Sequence, residues 1–473
     1  MQVQSWMRTP SAWRIGVIVF AVAATLAVAA SGLIYPSPYS PLIVGGAAAA
    51  AAALVAWFRK PVWALYAALF VVFLPIGLIP AQIQSNLNRS ITVIALIVWL
   101  FDVVARRRSV VWTSTALLMS SFLVWAIVTL FGAANISTGT NALQVYTLRL
   151  ILFLVLVANE IRTKEDLDGL MNTLALTGWV LVLVSAGTVL SGGYTAGTRL
   201  QVLDANSNGI GITALVTMPG VLWQALRTSG WQKTVGMLQS FMFIALALVL
   251  VALSGSRGSA ISLFIILLAF WFWKPTRPWG KLGLLVLAIA AMTAPFIFSI
   301  TLERFAVERG DTVLGGREAL WQAAWLLIRD HLWRGVGIGN APYAVMSHLR
   351  LFRSVGGEES AAIHNPVLAI WAETGIAGLV LYLGVLGSAI WSFIRQYRRH
   401  RQAGAHSLLP YYALVSCVFL GYMSSWIKGG GMESDFTYFL MLALLLIPSC
   451  LRVEGSSMNQ TPDPHPLSVI SAV

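Results

Sequence analysis

Apolar stretches of about 20 residues, separated by short polar connections, run through most of this chain, and each is long enough to cross a bilayer as a helix. Candidate spans lie near 15–34, 41–58, 61–80, 90–105, 115–134, 142–159 and 170–190. Others lie near 208–226, 234–253, 259–273, 282–301, 366–394, 408–427 and 436–451. The reading gives about 14 helices, or about 12 where short neighbours merge. Only 10% of the 473 residues are charged and 58% are hydrophobic, whereas soluble domains carry about 25% charged residues. A soluble globule is excluded, and the expected fold class is an all-α polytopic integral membrane protein.

The formal charge of +13 does not form one polar face suited to nucleic acid. The basic residues fall in small groups between apolar runs: Arg59-Lys60, Arg106-Arg107-Arg108, Arg162/Lys164, Arg227/Lys233, Lys274/Arg277/Lys281 and Arg395/Arg398/Arg399/Arg401. They mark every second connection, and with Arg8, Arg14 and Arg452 they place both termini on the cytoplasmic side by the positive-inside rule. Arg89, Arg199, Arg257 and Lys428 are isolated charges that fall on the opposite side. Cys417 and Cys450 stand in separate apolar runs with no disulfide framework and no metal-ligand spacing, so no metal and no cofactor are expected.

The first apolar run follows Arg8 and Arg14 and is longer than a signal-peptide core of about 7 to 15 residues, so it is expected to remain as a helix. Ala47 to Ala53 suits close helix packing through small side chains. No internal repeat is evident. The chain divides into N-terminal transmembrane helices (1–139), central helices (140–300), a long extramembrane loop (301–363), C-terminal helices (364–452) and a cytoplasmic, disordered tail (453–473). In the loop, Arg304, Arg309, Arg317, Arg329, Arg334, Arg350 and Arg353 are matched by Glu303, Glu308, Asp311, Glu318, Asp330, Glu358 and Glu359. Arg317 to Asp330 has apolar residues at helical spacing and is expected to be an amphipathic helix lying on the membrane face. Gly335 to Asn340 is turn-rich, but lacks the lysine and strand context of a phosphate loop.

The strings LSGSRGSAI (253–261), GGREALWQAAWLLIRDHLWRGVGIGNAPY (315–343) and HNPVLAIWAETGIAGLVLYL (364–383) resemble the bacterial O-antigen ligase superfamily, and TRLQVLDANSNGIG (198–211) is similar to its Arg and Asp-x-Asn helix opening. The resemblance covers roughly 140–395. It implies a metal-independent, GT-C-like glycosyltransferase of the bacterial inner membrane, with its active site at the periplasmic face. Members of the superfamily take a glycan from an undecaprenyl pyrophosphate carrier. They join it to lipid A-core, to a growing glycan or to a protein hydroxyl. The resemblance assigns the catalytic role to His364 and pyrophosphate binding to Arg257, Arg317 and Arg199; Asn365, Asp204 and Asn206 are possible supporting residues. The expected function is an O-antigen ligase acting on an undecaprenyl pyrophosphate-linked glycan donor and a lipid A-core acceptor, among membrane lipids and without nucleic acid. A polymerase or a protein O-oligosaccharyltransferase of the same superfamily is the alternative.

The chemistry asks for the same residue types. A departing pyrophosphate needs its developing charge held, and arginine binds phosphate oxygens with two parallel donors while remaining protonated. Arg257 sits in a short SGSRG connection on the side where stray positive charge is disfavoured; a snorkelling interfacial arginine is the other reading. Arg317 could pair with a neighbouring glutamate and Arg199 could face water. An acceptor hydroxyl needs a base near neutral pH, which suits histidine. His364 stands where the long loop meets a helix, while His331 and His348 serve as controls. Glu373, nine residues on, falls on the opposite helix face and is rejected as its orienting partner. Arg149, in the middle of an apolar run, should face the bundle interior, either for the carrier's phosphates or for a carboxylate such as Glu373. A transporter or flippase would show internal repeats with broken helices, and a channel would leave the arginines and the histidine without a role.

Overall fold

The computed structural model describes residues 53–73, 81–192, 195, 199–200, 207–293, 317–352, 359–427 and 436–451. The expected spans near 15–34 and most of 41–58, the alanine run up to Ala52, residues 301–316, Asp204, Asn206, Lys428, Arg452 and the tail 453–473 lie outside those residues.

Among the described residues every regular element is helical. In chain order they are α1 (Pro61–Val72), α2 (Ala81–Arg106), α3 (Ser114–Leu130), α4 (Ile136–Arg149), α5 (Val157–Glu160), α6 (Lys164–Leu190), α7 (Ser207–Arg227) and α8 (Gly230–Ser254). There follow α9 (Arg257–Phe272), α10 (Arg277–Thr293), α11 (Arg317–Asp330), α12 (Ala341–Leu349), α13 (Pro366–Gln402), α14 (Leu409–Trp426) and α15 (Phe436–Cys450). Among the described residues seven helical segments are long and apolar enough to cross a membrane, and α1, α3, α9 and α15 are shorter apolar helices. The protein is therefore an all-α polytopic membrane protein, an architecture that keeps backbone hydrogen bonds within each span.

Helix starts follow from local chemistry. Thr113 and Asn135 accept backbone N–H groups at the starts of α3 and α4, and Thr163 with Asp166 forms a reciprocal capping box at α6. Between α8 and α9, Gly255 takes the left-handed conformation (φ 59°) and Ser256 caps the next helix. Two residues, Gly255 and Ser256, therefore connect two apolar helices.

The helix ends sort into two faces. At the basic end, Asp102 meets Arg106 at 2.7 Å and Arg108 at 3.2 Å, while Arg108 also reaches Glu160 at 3.8 Å. Asn159 clasps the backbone of Val111 on both its N–H and its carbonyl, and Arg227 pairs with Asp168. These contacts join connections that the sequence groups by their positive charge.

Packing between the faces is apolar and aromatic. Tyr382 and Trp426 each stack on Tyr438 at 5.4 Å. Phe122 meets Tyr146 and Tyr382 edge-on, an arrangement aromatic rings favour over face-to-face sandwiches. Leu150–Leu156 is wound as a π-helix between α4 and α5, and most of its side chains are buried in this interior.

At about 1.5 Å per residue, the 37 residues of α13 would measure about 55 Å as one rod, well beyond the hydrocarbon core of about 30 Å. The helix is in fact broken at Gly375 (φ 65°, ψ −171°). The single span expected near 366–394 is thus a short helix, 366–374, followed by a span that ends in the basic group Arg395 to Arg401. The short helix joins α11 and α12 in a second, smaller core built on Leu320, Ala323, Leu327, Val345, Leu349 and Ala372. The apolar stripe of α11 packs on protein, because α12 and the start of α13 lie against it.

Candidate active site

The His-Asn-Pro sequence sets the geometry at the entry to α13. Proline at the first helical position lacks an N–H that would have no helical partner, and it drives the preceding residue out of the α region. Asn365 is accordingly extended (φ −150°), and its side-chain oxygen accepts the N–H groups of Val367 and Leu368 at 3.0 and 3.1 Å. His364 is pushed one residue outside the helix and into the left-handed region (φ 53°). For a residue other than glycine this is an uncommon backbone state, costing about 1–3 kcal/mol, that persists only where neighbours impose it.

Those neighbours are identifiable. Ile363 is buried in the small core, and the Trp321 indole N–H donates to its carbonyl at 3.1 Å. Arg317 lies one turn before Trp321 on the same face of α11, and its positive charge acts on His364. Burial first, and Arg317 second, disfavour the imidazolium and lower the pKa of His364 below its ordinary value. The imidazole is thus neutral near pH 7, able to take a proton, with a guanidinium and the N-terminus of a helix beside it. That combination suits a base acting next to a bound anion.

The turn-rich run Gly335 to Asn340 has a structural role here. The break at Gly375 removes the helical partners of several backbone groups, and this turn supplies new ones. Val336 N–H donates to Ala372, Gly337 N–H to Glu373, and Ile376 N–H to Leu332, at 2.9, 2.9 and 3.0 Å. The Trp125 indole satisfies the carbonyl of Thr374 at 2.8 Å. A Cβ on Gly335 would strike the backbone of Glu373, and one on Gly375 the carbonyl of Trp333. Asn340, 2% exposed, fastens the same turn to the α3–α4 connection, accepting from Asn135 N–H at 2.9 Å and donating to the carbonyls of Asn135 and Ile338. The helix that presents His364 is thereby anchored to the membrane-spanning bundle.

Arg199 and Arg257 both lie at a second place, the α8–α9 turn. Arg199 donates from Nε to the Ser254 carbonyl at 2.9 Å and from Nη2 to Asn208 at 2.8 Å, and the adjacent Leu200 N–H binds Leu253. A cation over the last carbonyls of α8 also suits the negative end of that helix. Arg257 is the first residue of α9, half-buried beside the capping Ser256. Gly211 packs against Ser254 and Ser259, and Gly258 against Ser425, so the starts of α7 and α9 and the end of α14 come together there.

Arg149 is 5% exposed and faces the interior as expected, with its guanidinium 3.3 Å from the centre of the Phe436 ring, immediately before the π-helix. His348 binds Asp330 at 2.9 Å and Ser347 at 3.2 Å, and His331 is exposed. Trp321, Asn340, Gly375 and Asn208 were not singled out from the sequence for these contacts. Each nevertheless lies inside one of the strings that carry the resemblance: Asn208 in 198–211, Trp321 and Asn340 in 315–343, and Gly375 in 364–383.

Residues 241–383 match a family model described as O-antigen ligase. The match spans Arg257, Arg317, the Gly335–Asn340 turn and His364, and it ends short of Arg149 and Arg199. No curated protein matches the chain.

Proposed function

We propose that the protein, whose residues 241–383 match a family model described as O-antigen ligase, is the ligase of lipopolysaccharide assembly, moving a glycan from undecaprenyl pyrophosphate to lipid A-core at the periplasmic face of the inner membrane. The observation that carries this reading is the half-buried His364 held at the N-terminus of α13, where burial and the nearby charge of Arg317 both disfavour its protonated form. His364 takes the proton of the acceptor hydroxyl as the oxygen attacks the anomeric carbon. The bond from that carbon to the pyrophosphate oxygen breaks, and undecaprenyl pyrophosphate leaves with its charge held by Arg317 and Arg257. Arg199 supports the turn that presents Arg257 and adds its own charge. The proton on His364 then returns to solvent.

The test is transfer by the purified protein in lipid nanodiscs, given an undecaprenyl pyrophosphate-linked glycan with lipid A-core as acceptor. Glycosylated lipid A-core is the expected product. Elongation of the donor glycan alone would overturn the ligase assignment in favour of a polymerase.

A further inference from the structure

His364 adopts a left-handed backbone that a histidine does not hold unaided. The residue after it is fixed by capping, through Asn365 and Pro366. On its other side, what holds Ile363 is its burial and the hydrogen bond from Trp321. Trp321 stands one helical turn after Arg317, so a single face of α11 carries both the charge that acts on the imidazole and the donor that fixes the chain beside it.

Resting on the reading of His364 as the base, we propose that Trp321 is a positioning residue: its indole N–H anchors the Ile363 carbonyl and so holds the His364 ring against Arg317 in the orientation used for proton removal. The ring body of Trp321 packs on the small core, whereas the N–H has the narrower task of setting the backbone next to the base. Loss of the N–H alone frees the 363–364 peptide. The imidazole then moves toward water and away from the guanidinium. The other titratable and charged groups on the surrounding elements and their connections include Glu318, Arg329, Asp330, His331, Arg334, Tyr343, His348, Arg350, Glu359 and Glu373. Asp330 and His348 bind each other, and Arg317 is the charged neighbour that, after burial, disfavours the protonated form of His364.

The test uses the full-length protein in nanodiscs and two substitutions, Trp321→Phe, which keeps a ring but no donor, and Trp321→His, whose Nε2–H replaces that of the indole. Three quantities are read: transfer kinetics with the lipid-linked glycan, donor binding, and the pH dependence of His364 carbethoxylation followed by mass spectrometry. The last reports imidazole protonation whether or not His364 is the base. For Trp321→Phe the expected result is a kcat lower by tenfold or more, in keeping with the roughly hundredfold effect of a 1 Å misplacement. Donor affinity stays close to the starting protein, and the His364 titration midpoint moves upward. Trp321→His recovers both kcat and midpoint. Unchanged kcat and midpoint in a folded Trp321→Phe overturn the proposal. Should Trp321→Phe not fold, a folded Trp321→His with a raised midpoint overturns it equally, and one with the original midpoint supports it. Normal transfer by His364→Ala would instead reject the base assignment while leaving the carbethoxylation result to judge the positioning.

Discussion

Arg317 and His364, distant in sequence, are brought together where α11 packs on the first turns of α13, and the guanidinium adds to burial in keeping the imidazole unprotonated. Because both effects oppose the charged form, the proton leaves at a lower pH than for an ordinary histidine, and the imidazole stays unprotonated as the pH falls somewhat below neutral. Arg317→Gln removes one of the two effects, so the acid limb of kcat/KM should move to higher pH and the carbethoxylation midpoint of His364 should move with it. An unshifted midpoint in a folded Arg317→Gln would separate the two residues.

Arg257 and Arg199 should differ in what their loss does. Arg257→Ala should weaken donor binding and slow transfer together, since a contact to the pyrophosphate is present in the bound donor and strengthens as it departs. Arg257→Lys should recover little, because an ammonium cannot reproduce the two-pronged guanidinium contact. Arg199→Ala should also lower thermal stability, by about 1 kcal/mol, through the lost hydrogen bond to the Ser254 carbonyl. Donor titration and thermal unfolding of both variants check this; equal stability and equal donor loss would put the two arginines in one role.

The break in α13 gives a stability prediction. Gly375→Ala must hold a Cβ at φ 65° and against the Trp333 carbonyl, so it should destabilise by about 1–3 kcal/mol and reduce transfer. Gly384→Ala lies in the regular part of the same helix with only the Leu118 methyl groups near, at ordinary contact distance, and should be neutral or slightly stabilising. Thermal unfolding of the two variants in the same detergent decides it, and comparable loss in both would deny Gly375 its special conformation.

Much of the fold was legible in the sequence because its signals are local. Runs of about 20 apolar residues, the basic groups at every second connection and the Ser-Gly-Ser-Arg-Gly reversal each describe one stretch of chain, and Asn365-Pro366 announces a helix start wherever it occurs. What could not be read depends on partners far along the chain. Gly375 inside an apolar run looks like a small residue at a helix contact, and its break exists only because Val336, Gly337 and Trp125 are there to satisfy the freed carbonyls. Trp321 looks like one of several core tryptophans until Ile363 returns to meet it. The stripe of α11 indicated burial without telling lipid from protein, and α12 supplied the protein.

Orientation is open to a direct check. With Cys450 replaced by alanine, a cysteine at exposed Ser347 on α12 should react with an impermeant thiol reagent from outside the inner membrane, and one at exposed Ser407, beside the basic end, should not. The reverse pattern would turn the protein over and remove the candidate site from the periplasmic face.

The central claim is that His364 takes the acceptor's proton and does not hold the donor. It is tested most directly by measuring transfer and donor binding on His364→Ala side by side in nanodiscs. Transfer should fall by about 10²- to 10⁴-fold, the usual worth of a general base, while the undecaprenyl pyrophosphate-linked glycan binds about as well as before. Near-normal transfer, or a loss of donor binding as severe as that of Arg257→Ala in a folded protein, would contradict it.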